Sequence, residues 1–384
     1  MKIGIDATFI GSEKPTGLGV YTRNIVNELL KLNDDMVLWS SDGGGFNLPQ
    51  ERMRPVLERF RFLGQNRFLV RPVWMELKFP ALIQREKIDV LFSTVPGGMW
   101  ACPVPHVVSV HDLTPLAVPG DSPKAVQLNY RYRLGKILER SAAIIAISAS
   151  TKDDICRFYQ IPPEKIQVVH LAYDKELFQP RHCPEVLGNY GLQGVPYILS
   201  VGSDMSRKNL LRLARSFAAL RNHSHCLVLA GLHSPEVKKR LLAEAAAVAQ
   251  GAELRIRFLD YVRDKDLPVL YSGATLFCYP SLYEGFGLPV LEAMACGTAV
   301  VASNTTSIPE VAGQAALLVD PTDCEALAAA LDAVLDDAGR REAMRAAGLK
   351  QVTSFSWQRA AQEILSVLQG AVRSWPARHP PAAD

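Results

Sequence analysis

The stretch Thr275-Leu-Phe-Cys-Tyr-Pro-Ser-Leu-Tyr-Glu284-Gly-Phe-Gly-Leu-Pro-Val-Leu-Glu292-Ala-Met-Ala-Cys-Gly297 runs from an apolar segment through a glycine-containing turn into a helical one. Residues 275–279 read as a buried parallel strand that stops at Pro280. Pro289 suits the first position of a helix, where its missing N–H would have no partner anyway. Gly297 is a plausible left-handed stop after Cys296. The turn therefore delivers a helix N-terminus at the carboxyl edge of a sheet, where free N–H groups and the helix dipole suit a phosphate. Gly285 and Gly287 carry no side chain where a ligand would approach. Glu284 is placed before the helix and Glu292 in its first turn, so the two face different parts of one ligand. Such carboxylates accept hydroxyl hydrogen bonds, one from a sugar ring and one from a ribose. A helix start that merely gains from an acidic first turn fits the spacing as well.

The same strand-then-helix alternation runs through most of the chain. Apolar runs at 2–7, 36–40, 89–93, 106–111, 143–147 and 167–170 are followed by a second series at 197–201, 226–230, 255–259, 275–279, 298–302 and 316–319. Segments of helical period lie between them, including 20–32, 127–140, 209–220, 236–249 and 322–335. Continuous apolar strands alternating with helices imply an α/β fold of parallel sheets covered on both faces. Two series imply two doubly wound, Rossmann-like domains. The region 174–196, with Pro180, Pro184, Pro196 and three glycines, has no sustained period and separates them. The expected domains are 1–178 and 179–355, with 356–384 as a helix over 357–368 packing back on the first domain and a frayed tail. Two facing domains of this kind place ligands in a cleft at the carboxyl ends of their strands.

Composition excludes several classes. A chain of 384 residues, 48% hydrophobic and 21% charged, is that of an ordinary globular protein of about two domains. A net charge of +3 is too small to argue for nucleic acid. The seven cysteines are scattered, with no Cys-x-x-Cys pair, as expected of reduced thiols in a cytoplasm. The run before Asp6 is too short for a signal peptide, and no stretch approaches the roughly 18 apolar residues that span a bilayer.

Two further turns carry chemistry. Val201-Gly202-Ser203-Asp204-Met205-Ser206-Arg207-Lys208-Asn209-Leu210 leads from a strand into a helix. Adjacent Arg207 and Lys208 there can neutralise a pyrophosphate, the first as a planar fork and the second as a point charge. Two cations at a helix start oppose its dipole, so a purely structural reading needs another reason for them. Thr16-Gly17-Leu18-Gly19-Val20-Tyr21-Thr22 precedes the first helix, and its Gly-x-Gly lets backbone amides approach a phosphate. Thr22 replaces the third glycine of a dinucleotide fingerprint, so that reading fails.

The run from Tyr279 to Ser303 closely resembles the Glu-x7-Glu signature of glycosyltransferase family 4, retaining enzymes of the GT-B fold. The resemblance extends over most of the chain and is weakest at 42–80. It implies that Glu284 contacts the donor sugar and Glu292 the ribose, with Gly285, Phe286, Gly287 and Leu288 beside the donor. It implies that Arg207 and Lys208, after Gly202 and Ser203, hold the diphosphate, that Gly17 and Gly19 lie across the cleft from it, and that backbone near Val262 meets the base. His111, at a strand's carboxyl end, corresponds to a family histidine that touches the donor sugar; Asp112 is a candidate for acceptor positioning or base work. The implied reaction is metal-independent hexose transfer from a nucleoside diphosphate sugar to an acceptor hydroxyl. The Arg-Lys-Asn motif resembles that of mannosyl- and rhamnosyltransferases of surface polysaccharide assembly, so GDP-mannose is the first expected donor, then a UDP-hexose or dTDP-rhamnose. A GT-B epimerase or a non-catalytic nucleotide-sugar-binding protein would share the architecture.

Three features have structural readings beside functional ones. Asp264-Lys265-Asp266 resembles a metal-binding Asp-x-Asp, but Asp264 as a helix N-cap explains it better, and no metal is expected. His223 and His225 read as loop residues at the surface. In 52–71, Arg52, Arg54, Arg59, Arg61, Arg67 and Arg71 interleave with large apolar residues up to Trp74. Peripheral contact of 52–74 with an anionic membrane holding a lipid-linked acceptor, at the inner face of the cytoplasmic membrane, fits this pattern, and so does a core helix with a solvated face.

Overall fold

The computed structural model of the chain describes residues 1–8, 17–40, 50–56 and 67–376. It divides into two compact units, Met1–Leu116 with Lys124–Leu171 and Trp357–Asp384, and Ala117–Pro123 with Ala172–Ser356. The short segment Ala117–Pro123 thus belongs with the second unit although the chain on both sides of it belongs to the first.

Unit 1 is built on a sheet of β1 (Ile3–Ala7), β2 (Met36–Ser40), β3 (Met53–Pro55), β4 (Val90–Ser93), β5 (His106–Val110), β6 (Ala143–Ala146) and β7 (Ile166–Val168), in the order β3-β2-β1-β4-β5-β6-β7. Every pairing is parallel. Parallel strands need crossovers that cover both faces, which is why β1, β2, β4 and β5 are buried at every position. The final helix, Trp357–Ser374, buries Ala360, Ala361, Ile364, Leu368 and Ala371, a stripe at three- and four-residue spacing. That stripe packs on helix Gly17–Leu32 and on β4 and β5.

Unit 2 repeats the plan with β8 (Tyr197–Val201), β9 (Cys226–Ala230), β10 (Ile256–Leu259), β11 (Leu276–Tyr279), β12 (Val300–Ser303) and β13 (Leu317–Val319), again all parallel, in the order β10-β9-β8-β11-β12-β13. Helices Leu210–Ala218 and Cys324–Leu335 close one face over Ile198, Leu227, Leu276 and Val301, which form one buried cluster with Leu213, Phe217, Leu327 and Leu331.

Two expectations need correction here. Helix Gly17–Leu32 begins at Gly17, so Gly17 and Gly19 occupy its first turn and do not form a loop ahead of it; Gly19 is buried. Thr16 lies outside the described residues. The segment 52–74 is not one amphipathic arm: Met53–Pro55 adds an edge strand paired with β2, and Arg67–Leu77 is a separate helix. Arg54 Nε bonds Glu86 at 2.8 Å. Arg71 is buried, with Nη2 2.8 Å from Asp6 Oδ2 and Nε 2.7 Å from Thr8 Oγ1. Of the remaining arginines, Arg59 and Arg61 lie outside the described residues, as does the Arg67 side chain. All seven cysteines are free. No helix among the described residues is long and apolar enough to cross a membrane.

Candidate active site

β8 and β11 are neighbours, with Leu276 opposite Ile198 and Phe277 opposite Leu199. The loops after Val201 and after Tyr279 therefore leave the sheet side by side. The first of them tightens into a single 3-10 turn, Ser206–Lys208, and ends at Asn209 in left-handed conformation, φ 60°. Asparagine tolerates that region, and its short amide is then free to bond locally. Asn209 Nδ2 donates to the Pro280 carbonyl at 3.0 Å and to that of Pro321 at 2.6 Å, while Leu282 N donates to the Arg207 carbonyl at 2.7 Å. These bonds lock the two loops together.

The lock brings three of the expected residues into contact. Lys208 Nζ is 2.7 Å from Glu284 Oε1, and Arg207 Nη1 is 2.9 Å from Glu284 Oε2. The Tyr279 hydroxyl donates to the same Oε1 at 2.9 Å and accepts from Lys208 at 2.5 Å, with the ammonium 4.9 Å from the Tyr279 ring centre. All three charged side chains are largely covered, at 9, 15 and 12% exposure for Glu284, Arg207 and Lys208. Burial by itself would raise the Glu284 pKa; the Lys208 and Arg207 charges outweigh it and hold the carboxyl below its ordinary value. Burial, with the Glu284 charge, pushes the Tyr279 hydroxyl well above its usual range, so it stays a neutral donor.

A second carboxylate orders the turn. Asp121 Oδ1 accepts from Ser206 N at 2.8 Å and Oδ2 from Arg207 N at 3.1 Å, with Arg207 Nε 3.9 Å away. Burial opposes its ionisation, but bonds from Ser206 and Arg207 win and lower its pKa. This residue lies in the short segment Ala117–Pro123, and no local sequence pattern points to it.

The helix of the opening stretch spans Leu288–Ala295, capped by Gly287 at φ 105°. That backbone conformation favours glycine, and a Cβ on Gly287 would also have to displace the tip of the Ile308 side chain, 2.5 Å away at Cδ1. Pro289 is the second helical residue, one later than its N–H argument placed it. The turn before it is held from the neighbouring loop: Ser307 Oγ donates to the carbonyls of Glu284 at 2.9 Å and Phe286 at 2.8 Å, and Thr306 Oγ1 accepts from Glu284 N at 3.2 Å. Phe286 is buried, its ring packed edge-on against Phe355. Gly285 and Leu288 are half-buried.

Glu292 is not in the first turn, which holds no acidic residue, but in the second, because the helix begins at Leu288. It takes no part in the Arg207–Lys208–Glu284 cluster; Tyr271 donates to its Oε2 at 3.1 Å. Burial raises its pKa to about 7, against the smaller lowering effect of the Tyr271 bond. Ser203 is exposed and Val262 half-buried, in the loops after β8 and β10.

The remaining expected residues lie in unit 1. His111 directly follows β5 and is buried, its Nε2 2.9 Å from the Thr94 carbonyl and its ring edge-on to Tyr21, centres 4.5 Å apart. Burial lowers its pKa, so it is a neutral ring whose Nε2–H donates to Thr94. Asp112 Oδ1 accepts from Thr114 N at 2.9 Å, closing a local turn.

Among the structural readings, Asp264 is not an N-cap. Helix Leu267–Gly273 follows Asp266, whose side chain makes no capping bond and instead accepts from Tyr190 and Arg263 at 2.9 and 2.7 Å. Among the described residues no group of three or more His, Cys, Asp and Glu is placed to hold a metal ion. His223 is exposed, whereas His225 is buried beside Ser224. Sequence reasoning also missed a part-buried pair in the loops after β8 and β9, His233 Nδ1 to Asp204 Oδ1 at 2.7 Å.

Residues 15–177 match the model described as glycosyltransferase family 4, and residues 189–351 that of glycosyl transferases group 1. O-antigen chain mannosyltransferase B of Escherichia coli is 35% identical over 265 residues, 68% of this chain and 69% of that protein. Serotype-specific mannosyltransferase WbdA of Escherichia coli is 32% identical over 230 residues, 58% of this chain but 28% of that protein. The structure of Anabaena Alr3699/HepE in complex with UDP and glucose aligns with a TM-score of 0.72 at 18% identity, over 96% of this chain and 100% of that one. The two parallel sheets are those of the GT-B fold, and the chain belongs to glycosyltransferase family 4, the group 1 glycosyl transferases.

Proposed function

We propose that this glycosyltransferase is a retaining, metal-independent hexosyltransferase whose donor is a nucleoside diphosphate sugar held by unit 2, GDP-mannose before a UDP-hexose or dTDP-rhamnose. The single observation that carries this reading is the covered cluster of Arg207, Lys208 and Glu284 beside the helix start at Leu288. Two cations held by one carboxylate are a preorganised anion site with an internal anion in it. A donor diphosphate takes over Arg207 and Lys208, and Glu284 turns to the sugar hydroxyls. As the sugar–phosphate bond breaks, negative charge grows on the leaving phosphate, and cations already fixed in a largely covered site stabilise it without rearranging. The acceptor hydroxyl attacks the face that the phosphate leaves, and its proton passes to that phosphate. Glu292 takes the ribose, with Gly285, Phe286, Gly287, Leu288, Ser203 and Val262 contributing mainly backbone. For His111 and Asp112, as for Gly17 and Gly19, the family resemblance is the support.

Mannose is favoured because both Escherichia coli relatives are mannosyltransferases by name. The first of them acts on an O-antigen chain, which supports a carbohydrate or lipid-linked acceptor in surface polysaccharide assembly. Free cysteines throughout suit a reducing cytoplasm, with the acceptor at the membrane's inner face. The test is release of free nucleoside diphosphate from GDP-mannose, UDP-glucose and dTDP-rhamnose, without and with oligosaccharide acceptor. Slow release from GDP-mannose that the acceptor accelerates is expected. Release from none of the three would overturn the reading in favour of binding alone.

A further inference from the structure

In unit 2 the chain leaves β8, β9 and β10 in loops that are bonded to one another where the neighbouring strands end. Gly202 N donates to the Ala230 carbonyl at 3.0 Å, and Gly231 N to the Leu259 carbonyl at 2.9 Å. Beyond these bonds a single carboxylate ties the first loop to the second. Asp204 Oδ1 lies 2.7 Å from His233 Nδ1, and Asp204 Oδ2 accepts from Ser234 N at 2.7 Å. Ser234 is itself the N-cap of helix Pro235–Val248, its side chain accepting from Val237 N. Burial would raise the Asp204 pKa, but the bonds from Ser234 and His233 outweigh it and hold the carboxyl below its ordinary value. An ionised carboxylate only accepts, so His233 Nδ1 carries the proton and donates it to Asp204.

Packing alone does not account for an imidazole here. The His233 side chain is 1% exposed, against 28% for Asp204, and its ring lies edge-on to Phe258, centres 6.0 Å apart. Among the described residues its Nε2 is buried with no hydrogen-bond partner. A phenyl ring would fill the same space without burying an unpaired nitrogen; what it could not supply is the bond to Asp204. The loop after β8 needs such a hold. Ser203, Met205 and Ser206 are exposed, and Asp204, Met205 and Ser206 border a cavity of about 460 Å³ walled by Leu210, Val237 and Leu241. With little packed around it, this stretch is fixed by polar bonds at its two ends, Asp204 to His233 and Ser234, and Asp121 to the N–H groups of Ser206 and Arg207. We propose that His233 is a positioning residue of the donor site, which through Asp204 fixes the loop that carries Arg207 and Lys208. The proposal rests on the reading of unit 2 as donor-binding and adds to it a residue outside the Arg207–Lys208–Glu284 cluster.

Two variants of the full chain separate positioning from packing. His233→Phe keeps a ring against Phe258 and loses the bond; His233→Asn keeps a donor where Nδ1 stands and loses the ring. Each is compared with the wild type by urea denaturation, by hydrogen exchange of the amides of 203–208, and by kcat and KM for nucleoside diphosphate release from GDP-mannose, UDP-glucose and dTDP-rhamnose. His233→Phe is expected to unfold near the wild-type midpoint, because water replaces the lost bond at the partly exposed Asp204. Its loop amides are expected to exchange about tenfold faster. Its donor KM is expected to rise about tenfold with kcat within about twofold, because the donor must now order the loop on binding. His233→Asn is expected to be the less stable protein yet to restore both exchange and KM. Wild-type exchange and KM in His233→Phe would overturn the proposal. So would a KM that follows stability, with His233→Asn the worse of the two, which would leave the residue a packing role only. The expected exchange pattern with no release from any donor, even by the wild type, would uphold the hold on the loop and count against the transferase reading alone.

Discussion

Lys208 and Glu284, 76 positions apart in the sequence, form a covered ion pair with Nζ 2.7 Å from Oε1. Arg207 completes it on the other carboxylate oxygen. The groups assigned to the diphosphate and to the sugar thus saturate each other in this structure, and the pairing gives each a consequence for stability as well as for turnover.

Replacing Glu284 by Ala leaves two covered cations without their anion. Breaking such a pair costs about 3–5 kcal/mol. Urea denaturation is expected to show a loss of that order, and a nucleoside diphosphate, by replacing the missing anion, is expected to raise the melting temperature of Glu284→Ala at least as much as that of the wild type. Glu284→Gln, which keeps the shape, is expected to fold better and still lose about 100-fold or more in sugar transfer. Transfer at the wild-type rate by either variant would contradict the role given to Glu284.

Asp121 binds the N–H groups of Ser206 and Arg207 from outside the Glu284 cluster. Removing it in Asp121→Ala is expected to cost about 1.5–3 kcal/mol, the range for hydrogen bonds to a charged group, and to raise the donor KM because the turn no longer holds Arg207 in place. Its folded pKa is lowered, so its contribution is present above the unfolded value and is lost as pH falls through the folded one. Matched denaturation curves at pH 7 and pH 3 check this: the gap between wild type and variant is expected to shrink at the lower pH.

Glu292 has the opposite sign. Its folded pKa, about 7, lies above the unfolded one, so the fold favours the protonated acid. The stabilisation is complete below the unfolded pKa and is lost as pH rises through about 7. Glu292→Gln, a permanent mimic of the neutral acid, is therefore expected to match the wild type near pH 4 and exceed it by about 3 kcal/mol at pH 8.5. An equal difference at both pH values would show that burial does not govern this carboxyl.

Gly231 has φ +143°, and a Cβ there would lie 1.9 Å from the Gly202 carbonyl oxygen, whereas Gly194, at φ +70°, has nothing within 4 Å of a built Cβ. Gly194→Ala is expected to cost about 1–2 kcal/mol from backbone strain alone. Gly231→Ala is expected to cost more, because the loops after β8 and β9 must also separate, and to weaken donor binding with it. Chemical denaturation of the two variants, with donor titration of each, measures the difference.

The sheets were legible because buried parallel strands are continuous apolar runs, and twelve such runs fell on strands. Met53–Pro55 was not, since a three-residue edge strand carrying Arg54 and Pro55 has neither length nor apolar content. Arg207-Lys208 and Glu284 were each visible as motifs, but their contact was not, because it depends on β8 and β11 being neighbours. Asp121 acts through two backbone N–H groups and leaves no spacing to read. Glu292 was placed one turn too early because Pro289, expected to open the helix, is preceded in it by Leu288.

The central claim is that Arg207 and Lys208 hold the donor's diphosphate, and Lys208→Ala tests it most directly by calorimetric titration with GDP and with mannose. The account predicts that the variant stays folded and binds GDP at least about tenfold more weakly than the wild type, a loss of about 1.4 kcal/mol or more. It also predicts that the loss shrinks at high salt, as screening weakens the charge contribution in both proteins. A folded Lys208→Ala protein with wild-type affinity for GDP would contradict it.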